Sequence, residues 1–231
     1  DVGREIRRAF EAATGHVLIT ADYSQIELRL LAHLSNDPNL IDAFNHDADI
    51  HTAVAAQIHG ILPEQVTRDQ RSGAKMVNFG IVYGITPFGL ARRLKIDRDK
   101  AAVIIDDYKR RFSGITTFLQ ECIEGARQRG YVETMLKRRR PIPDAHSNVP
   151  ARRALAERLA INSVVQGSAA DLIKVGMVRI HREIVRSQKD TSSFLHQTKM
   201  LLQVHDELVF ETPEEKASDA MSLIVSYMEQ A

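Results

Sequence analysis

Apolar runs with strand character occur only near the two ends of this chain, and that placement limits the folds open to it. His16 to Ala21 (HVLITA) is a short β-branched run, and Met200 to Val204 and Leu208 to Phe210 are two more. The last two are separated by His205, Asp206 and Glu207, so they read as a hairpin with carboxylates at its tip. Between the ends the apolar residues recur at helical spacing. Ile26, Leu30 and Leu34 follow directly on Asp22, which places that acid at the end of a strand. Thr67-Arg68-Asp69-Gln70, shortly after Pro63, is a capping box opening a helix that runs toward Gly84 and is closed by Thr86-Pro87. Further helical patterns cover 98–112, 115–129 and 151–186, with Gly114, Gly130 and the Pro141, Pro143 and Pro150 stretch as punctuation. Strands at both ends with helices between them predict an α+β fold, in which a helical insertion rises from a small antiparallel sheet.

Composition narrows the class of partner less than the distribution of charge does. With 31 basic and 30 acidic residues the net charge is only +1, so bulk charge announces no nucleic acid. From Arg127 to Arg158, however, nine Arg or Lys face three acids. The run Lys137 to Arg140, together with Arg127, Arg129, Arg152 and Arg153, could hold phosphates or simply form a solvated loop. The single Cys122 excludes an internal disulfide and suits a reducing compartment. No run approaches the ~18 apolar residues a membrane span needs, and no signal-peptide pattern opens the chain. A cytoplasmic protein without a membrane partner is expected. The chain starts at Asp1 without methionine and stops within a helical pattern, so a piece of something longer is expected too.

Three constellations could carry chemistry. Asp22 at a strand end and Asp206 and Glu207 at a hairpin tip would converge if their strands lie side by side. Magnesium would relieve their repulsion, since it takes hard oxygen ligands from one or two carboxylates plus substrate phosphates. Two such ions about 3.5–4 Å apart clamp the attacking and leaving oxygens of a phosphoryl displacement. Acids at turns are usually caps or solvated groups. Second, Arg71, Lys75, Phe79 and Tyr83 recur every four residues, so two cations and two aromatics climb one helix face. That order suits a nucleoside triphosphate, phosphates on the cations and sugar and base on the rings, although a solvated cationic stripe and a core aromatic pair would look the same. Gly80 and Gly84 would allow close approach to the backbone. Third, Arg158, Asn162 and Gln166 set a cation and two amides along one helix side. These could test base-pair shape in a minor groove or face water.

Taken together, DYSQIELRLLAHLS (22–35), RSGAKMVNFGIVYG (71–84), RRALAERLAINSVVQGSAAD (152–171) and QVHDELVFE (203–211) resemble, in order, the core motifs of family A DNA polymerases. GREIRRAF (3–10), DIHTA (49–53) and GYVET (130–134) extend the resemblance over nearly the whole chain. The resemblance implies the right-hand polymerase fold without its thumb: palm over 1–31, a large helical fingers insertion over 32–150, and palm again over 151–231, ending before the last palm strand. It implies template-directed transfer of dNMP from dNTP to a primer 3′-hydroxyl, with two Mg2+ ions, primer-template DNA and dNTPs as partners, in a nucleoid-associated monomer. Asp22 and Asp206 would bridge the metals, with the carbonyl of Tyr23 completing one site and Glu207 an auxiliary acid. Arg71 and Lys75 would hold the triphosphate, Lys75 also giving a proton to pyrophosphate. Phe79 would pack on sugar and base, and Gln25 and His51 would line the same pocket. Glu27 would be the steric gate against a ribose 2′-hydroxyl, with Tyr83 as its partner. Arg158, Asn162 and Gln166 would touch primer and template, and His205 would lie by the primer terminus.

Two departures from the family pattern fall where loops are expected: Lys137 stands where glycine is common, and the polar segment 186–196 is longer than usual. The missing parts make binding of DNA without efficient turnover an alternative. A nuclease would have no use for the Arg71 to Tyr83 face, and Glu27 argues against RNA synthesis.

Overall fold

The computed structural model describes residues 8–231; residues 3–7 of the GREIRRAF stretch lie outside the described residues. The chain runs β1 (His16–Asp22), α1 (Ile26–Ser35), α2 (Pro38–Asn45), α3 (Ile50–His59), α4 (Arg68–Val82), α5 (Pro87–Leu94), α6 (Arg98–Arg111) and α7 (Ser113–Arg129). It continues through β2 (Tyr131–Glu133), β3 (Arg139–Pro141), α8 (Pro150–Ser187), β4 (Lys199–Val204), β5 (Glu207–Pro213) and α9 (Ala217–Glu229). This is the mixed helix and small antiparallel sheet that the strand placement predicts. It divides into two compact units: one holds the chain through Ile26 and again from Ala169 to Ala231, and the other holds Glu27–Ser168.

The first unit is built on an antiparallel sheet in the order β1-β5-β4. Period-two alternation turns Ile19 and Ala21 of β1 and Leu208 and Phe210 of β5 inward, where they meet Ile173, Ile180 and Ile184 of α8 and Ala220 and Ile224 of α9. Leu208 and Phe210 are fully enclosed, each worth about 1.5–3 kcal/mol of burial. β4 is an edge strand with Leu201, Leu202 and Val204 exposed, and a bulge interrupts its register between Met200 and Leu202. The hairpin tip differs in detail from the expectation. Glu207 already belongs to β5, and the turn is His205-Asp206, with His205 left-handed at φ 56°.

The second unit is helical around a core that includes Leu28 and Leu31 of α1, Val54 of α3, Val77 and Ile81 of α4, and Tyr108 and Phe112. Because Leu28, Leu31, Ala160 and Val165 pack in this core, the compact units divide at 26/27 and 168/169, whereas the expected palm and fingers boundaries stood at 31/32 and 150/151. Thr67 and Gln70 form the reciprocal capping box at the start of α4, with Gln70 N–H donating to Thr67 Oγ1 at 3.3 Å and Thr67 N–H to Gln70 Oε1 at 2.9 Å. Thr86-Pro87 does not close α4, which ends at Val82; the pair opens α5, Thr86 capping and Pro87 filling the first helical position. Asp37 is wholly buried and caps α2 while also accepting from Gly114 N–H at 2.8 Å. A Cβ on Gly114 would stand 2.9 Å from the Asp37 Cα, so this glycine is required by contact rather than by φ.

The basic run 137–140 is not wholly loop. Arg139 and Arg140 lie on β3, paired antiparallel with β2, and Lys137 sits in the connecting turn at φ 65°. That left-handed backbone explains why glycine is at home there. The segment after α8 is irregular but anchored: Leu195 is buried, Ser193 Oγ donates to Ser187 Oγ at 2.7 Å, and Lys216 Nζ donates to the Thr191 carbonyl at 2.9 Å.

Candidate active site

In the sheet unit, the alternation that buries Ile19 and Ala21 leaves Asp22 exposed on the opposite face. Asp22 is in register with Glu207 across β1 and β5, and Tyr23 N–H donates to the Asp206 carbonyl at 3.3 Å. The three carboxylate residues are thereby gathered at one end of the sheet. Tyr23 is fixed from its other side, its hydroxyl donating to the Met228 carbonyl on α9 at 2.6 Å. Burial pushes the Tyr23 phenol up, Arg179 pulling slightly the other way, so it remains a donor. Gathered acids repel, and a hard divalent cation relieves that. Among the described residues no three or more His, Cys, Asp or Glu could hold a metal ion by themselves. The oxygens present are of the type magnesium takes but too few to fill its shell, so they fit a site completed by substrate. His205 is exposed beside them, its carbonyl accepting from Gln203 Nε2 at 2.9 Å. Gln25, left-handed at φ 53°, carries a buried Oε1 with no partner among the described residues.

In the helical unit, α4 presents Arg71, Lys75 and Phe79 along one side and ends on Tyr83. Lys75 is exposed. Arg71 Nε donates to Asp49 Oδ2 at 2.5 Å, and Asp49 is itself the N-cap of α3, accepting from His51 N–H at 3.0 Å. Partial burial opposes the charge on Asp49, but hydrogen bonds from Arg71 and Thr52 outweigh it and hold the carboxyl below its usual range. The Phe79 and Tyr83 rings stack with centroids 6.2 Å apart, and His51 tilts against Phe79 at 5.9 Å. The Tyr83 hydroxyl donates to the Glu27 carboxylate and accepts from Gln166 Nε2 at 3.5 Å. Burial first, then the Glu27 hydrogen bond and charge, push the Tyr83 phenol well above its usual range, which keeps its proton available to Glu27.

His51, expected to line a pocket, is 2% exposed. Asn78, fully buried, meets it with Nδ2 2.8 Å from Nδ1. Burial pushes the ring's pKa down to about 4, with Asp49 raising it and Arg71 and Lys75 lowering it, so the imidazole is neutral. Asn162 and Gln166 line a cavity of about 320 Å³ together with Thr134 and Arg138, Arg139 and Arg140. Arg158, one turn before Asn162, is exposed. The amide series and the basic run therefore share one concavity. Asp49 and Asn78 escaped the reading of the sequence. Asp49 stood in the DIHTA motif as an evident N-cap, but Asn78 lies on the buried side of α4 and gave no signal.

A family model described as DNA polymerase family A matches residues 1–231. The chain belongs to that family. It is 47% identical over 230 residues to DNA polymerase I of Lactococcus lactis subsp. cremoris, covering 99% of this chain and 25% of that protein. Over 226 residues it is 49% identical to DNA polymerase I of Chloroflexus aurantiacus, covering 98% of this chain and 23% of that protein. The chain thus spans about a quarter of the length of these curated relatives. Among solved structures, the POL domain of Pol1 from M. smegmatis, in complex with DNA primer-template and dNTP, superposes with a TM-score of 0.90 at 40% identity. That match covers 99% of this chain and 39% of the other. Among the described residues no helix is long and apolar enough to cross a membrane.

Proposed function

We propose that this chain carries the palm (sheet unit) and fingers (helical unit) of a DNA-directed DNA polymerase that extends a primer on a DNA template from dNTPs. The observation that carries the reading is the face of α4, where Arg71 and Lys75 precede the stacked Phe79 and Tyr83 and the column ends on the Tyr83–Glu27 hydrogen bond. Membership of DNA polymerase family A, and a structural relative in complex with DNA primer-template and dNTP, support it. Arg71 and Lys75 bind the triphosphate as charge-assisted donors. Phe79 packs on sugar and base. Glu27, held by Tyr83, occupies the space of a ribose 2′-hydroxyl and so selects deoxynucleotides. Gln25 and His51 each add a contact to the nucleotide. Arg158, Asn162, Gln166 and the neighbouring arginines hold primer and template, with His205 at the primer end.

In the reaction the primer 3′-oxygen bonds to the α-phosphorus as the bond to the β-phosphate oxygen breaks. The hydroxyl proton leaves to solvent and Lys75 protonates the departing pyrophosphate. Asp22, Asp206 and the Tyr23 carbonyl are the residues that would hold two Mg2+ ions, with Glu207 beside them. Those ions, when bound, make the hydroxyl a better nucleophile and neutralise the triphosphate. The protein works as a monomer in the cytoplasm, on nucleoid DNA.

The test is magnesium-dependent extension of a labelled primer, with dNTPs against rNTPs and the unmodified protein against Asp206→Ala. Extension with dNTPs that disappears in the variant is expected. Degradation of the primer without dNTP would identify a nuclease instead, and DNA binding without extension would mean that these residues do not suffice for turnover.

A further inference from the structure

Asn78 is left without a role by the polymerase reading, and it pairs with His51, which that reading assigns to the nucleotide. Both are enclosed in the helical unit, and a buried amide is retained only when its hydrogen bonds are worth its desolvation. Asn78 turns its amide nitrogen, a donor only, to within 2.8 Å of Nδ1 of His51 while its Oδ1 finds no partner among the described residues; in this orientation Nδ1 is the acceptor. A neutral imidazole that accepts at Nδ1 carries its proton at Nε2. Nε2 has no hydrogen-bond partner among the described residues; Phe79 lies against the ring, and the charges of Arg71 and Lys75 act on it.

We propose that Asn78 is a positioning residue of the nucleotide site, which fixes His51 as the tautomer protonated at Nε2 and so keeps one neutral N–H donor for a phosphate oxygen of the bound nucleotide. This rests on the reading of α4 as the nucleotide-binding helix. The ring carries no charge of its own at working pH: burial keeps it neutral, Arg71 and Lys75 oppose its protonation, and Asp49 favours it without prevailing. A neutral donor beside two cations adds direction without adding to their mutual repulsion. Asn78 lies one residue before Phe79 on α4, so one helix turn sets the aromatic platform and the tautomer of the histidine against it.

The first measurement needs no substitution. Two-bond proton–nitrogen NMR of the imidazoles, with His51 assigned from its disappearance in His51→Gln, should show a ring protonated at Nε2 and bare at Nδ1 at pH 7. A ring protonated at Nδ1 overturns the proposal. Single-turnover incorporation then separates Asn78 from the nucleotide reading. His51→Gln and Asn78→Leu should each raise the dNTP concentration for half-maximal rate about tenfold, the size expected for a lost or misaimed hydrogen bond. Asn78→Asp accepts from Nδ1–H and charges the ring. It should restore much of the binding and bring a new titration into the pH profile, governed by Asp49, Arg71 and Lys75 with the new carboxylate. If His51→Gln binds dNTP normally, the assignment of His51 to the nucleotide fails and the proposal with it. If His51→Gln is impaired while folded Asn78→Leu is not, the proposal fails alone.

Discussion

Asp206 in the sheet unit and Asp37 in the helical unit are both carboxylates at the edge of a secondary-structure element, yet they sit in opposite surroundings. Asp206 occupies a two-residue turn, partly open to solvent, beside Glu207 and Asp22. Asp37 is sealed from solvent and takes N–H groups from Leu40 and Gly114. The same contrast separates the acids of the sheet unit from the α4 face of the helical unit. The acids near Tyr23 lie in strand register beside the Tyr23–Asp206 backbone hydrogen bond, whereas the α4 face is backed by Arg71–Asp49, His51–Asn78 and Tyr83–Glu27. Charge intended for a metal stays cheap to hold if it remains near water. Under the proposed function, groups that must aim at a nucleotide need partners to fix their direction.

The largest test of this contrast is Asp206→Ala. Nucleotide incorporation should fall by roughly a thousandfold or more, while the melting temperature stays the same or rises as repulsion is relieved. A drop of several degrees by circular dichroism would break the comparison, because it would make Asp206 a structural acid like Asp37.

His51 should behave in the reverse manner. Its folded-state pKa of about 4 lies below the ordinary 6.5, so the unfolded chain takes up a proton first as the solution is acidified. Stability present above pH 6.5 is therefore lost as pH falls toward 4, by at most about 3 kcal/mol. Denaturant midpoints measured from pH 7 to pH 4 should show this slope, and His51→Gln should flatten it. An unchanged slope would mean that the ring is already solvated.

Gly114→Ala sharpens the Asp37 half of the comparison, since the added methyl meets backbone at 2.9 Å and must push α7 from Asp37. A loss of about 1–3 kcal/mol is expected in urea melts. The smallest effect is at Lys137, whose φ of 65° is strained for a side chain. Lys137→Gly should stabilise the β2–β3 turn by no more than about 1 kcal/mol, because glycine's looser unfolded state offsets part of the relief.

Features governed by near neighbours in the chain were legible before any coordinates. The Thr67–Gln70 capping box, the strand placing Asp22 at its end, the β4–β5 hairpin and the climb of Arg71, Lys75, Phe79 and Tyr83 each depend on spacing of a few residues, which helix and strand periodicity converts directly into geometry. Local rules misjudged the details where a neighbour serves two elements. By local rules Thr86-Pro87 looks like an end and is a beginning, and Glu207 looks like turn and is strand.

What required the folded chain were the pairings between residues far apart in sequence. Asp49 and Arg71 are 22 residues apart, His51 and Asn78 are 27, and Glu27 and Tyr83 are 56. An asparagine on the buried side of a helix looks, in the sequence, like any interruption of an apolar stripe; only packing decides which polar group it meets. Register across β1 and β5, likewise, is set by which faces bury Ile19 and Phe210, and that choice brings Asp22 opposite Glu207. Periodicity fixes the direction in which a side chain leaves its own element, but its partner is selected by the burial of the whole core.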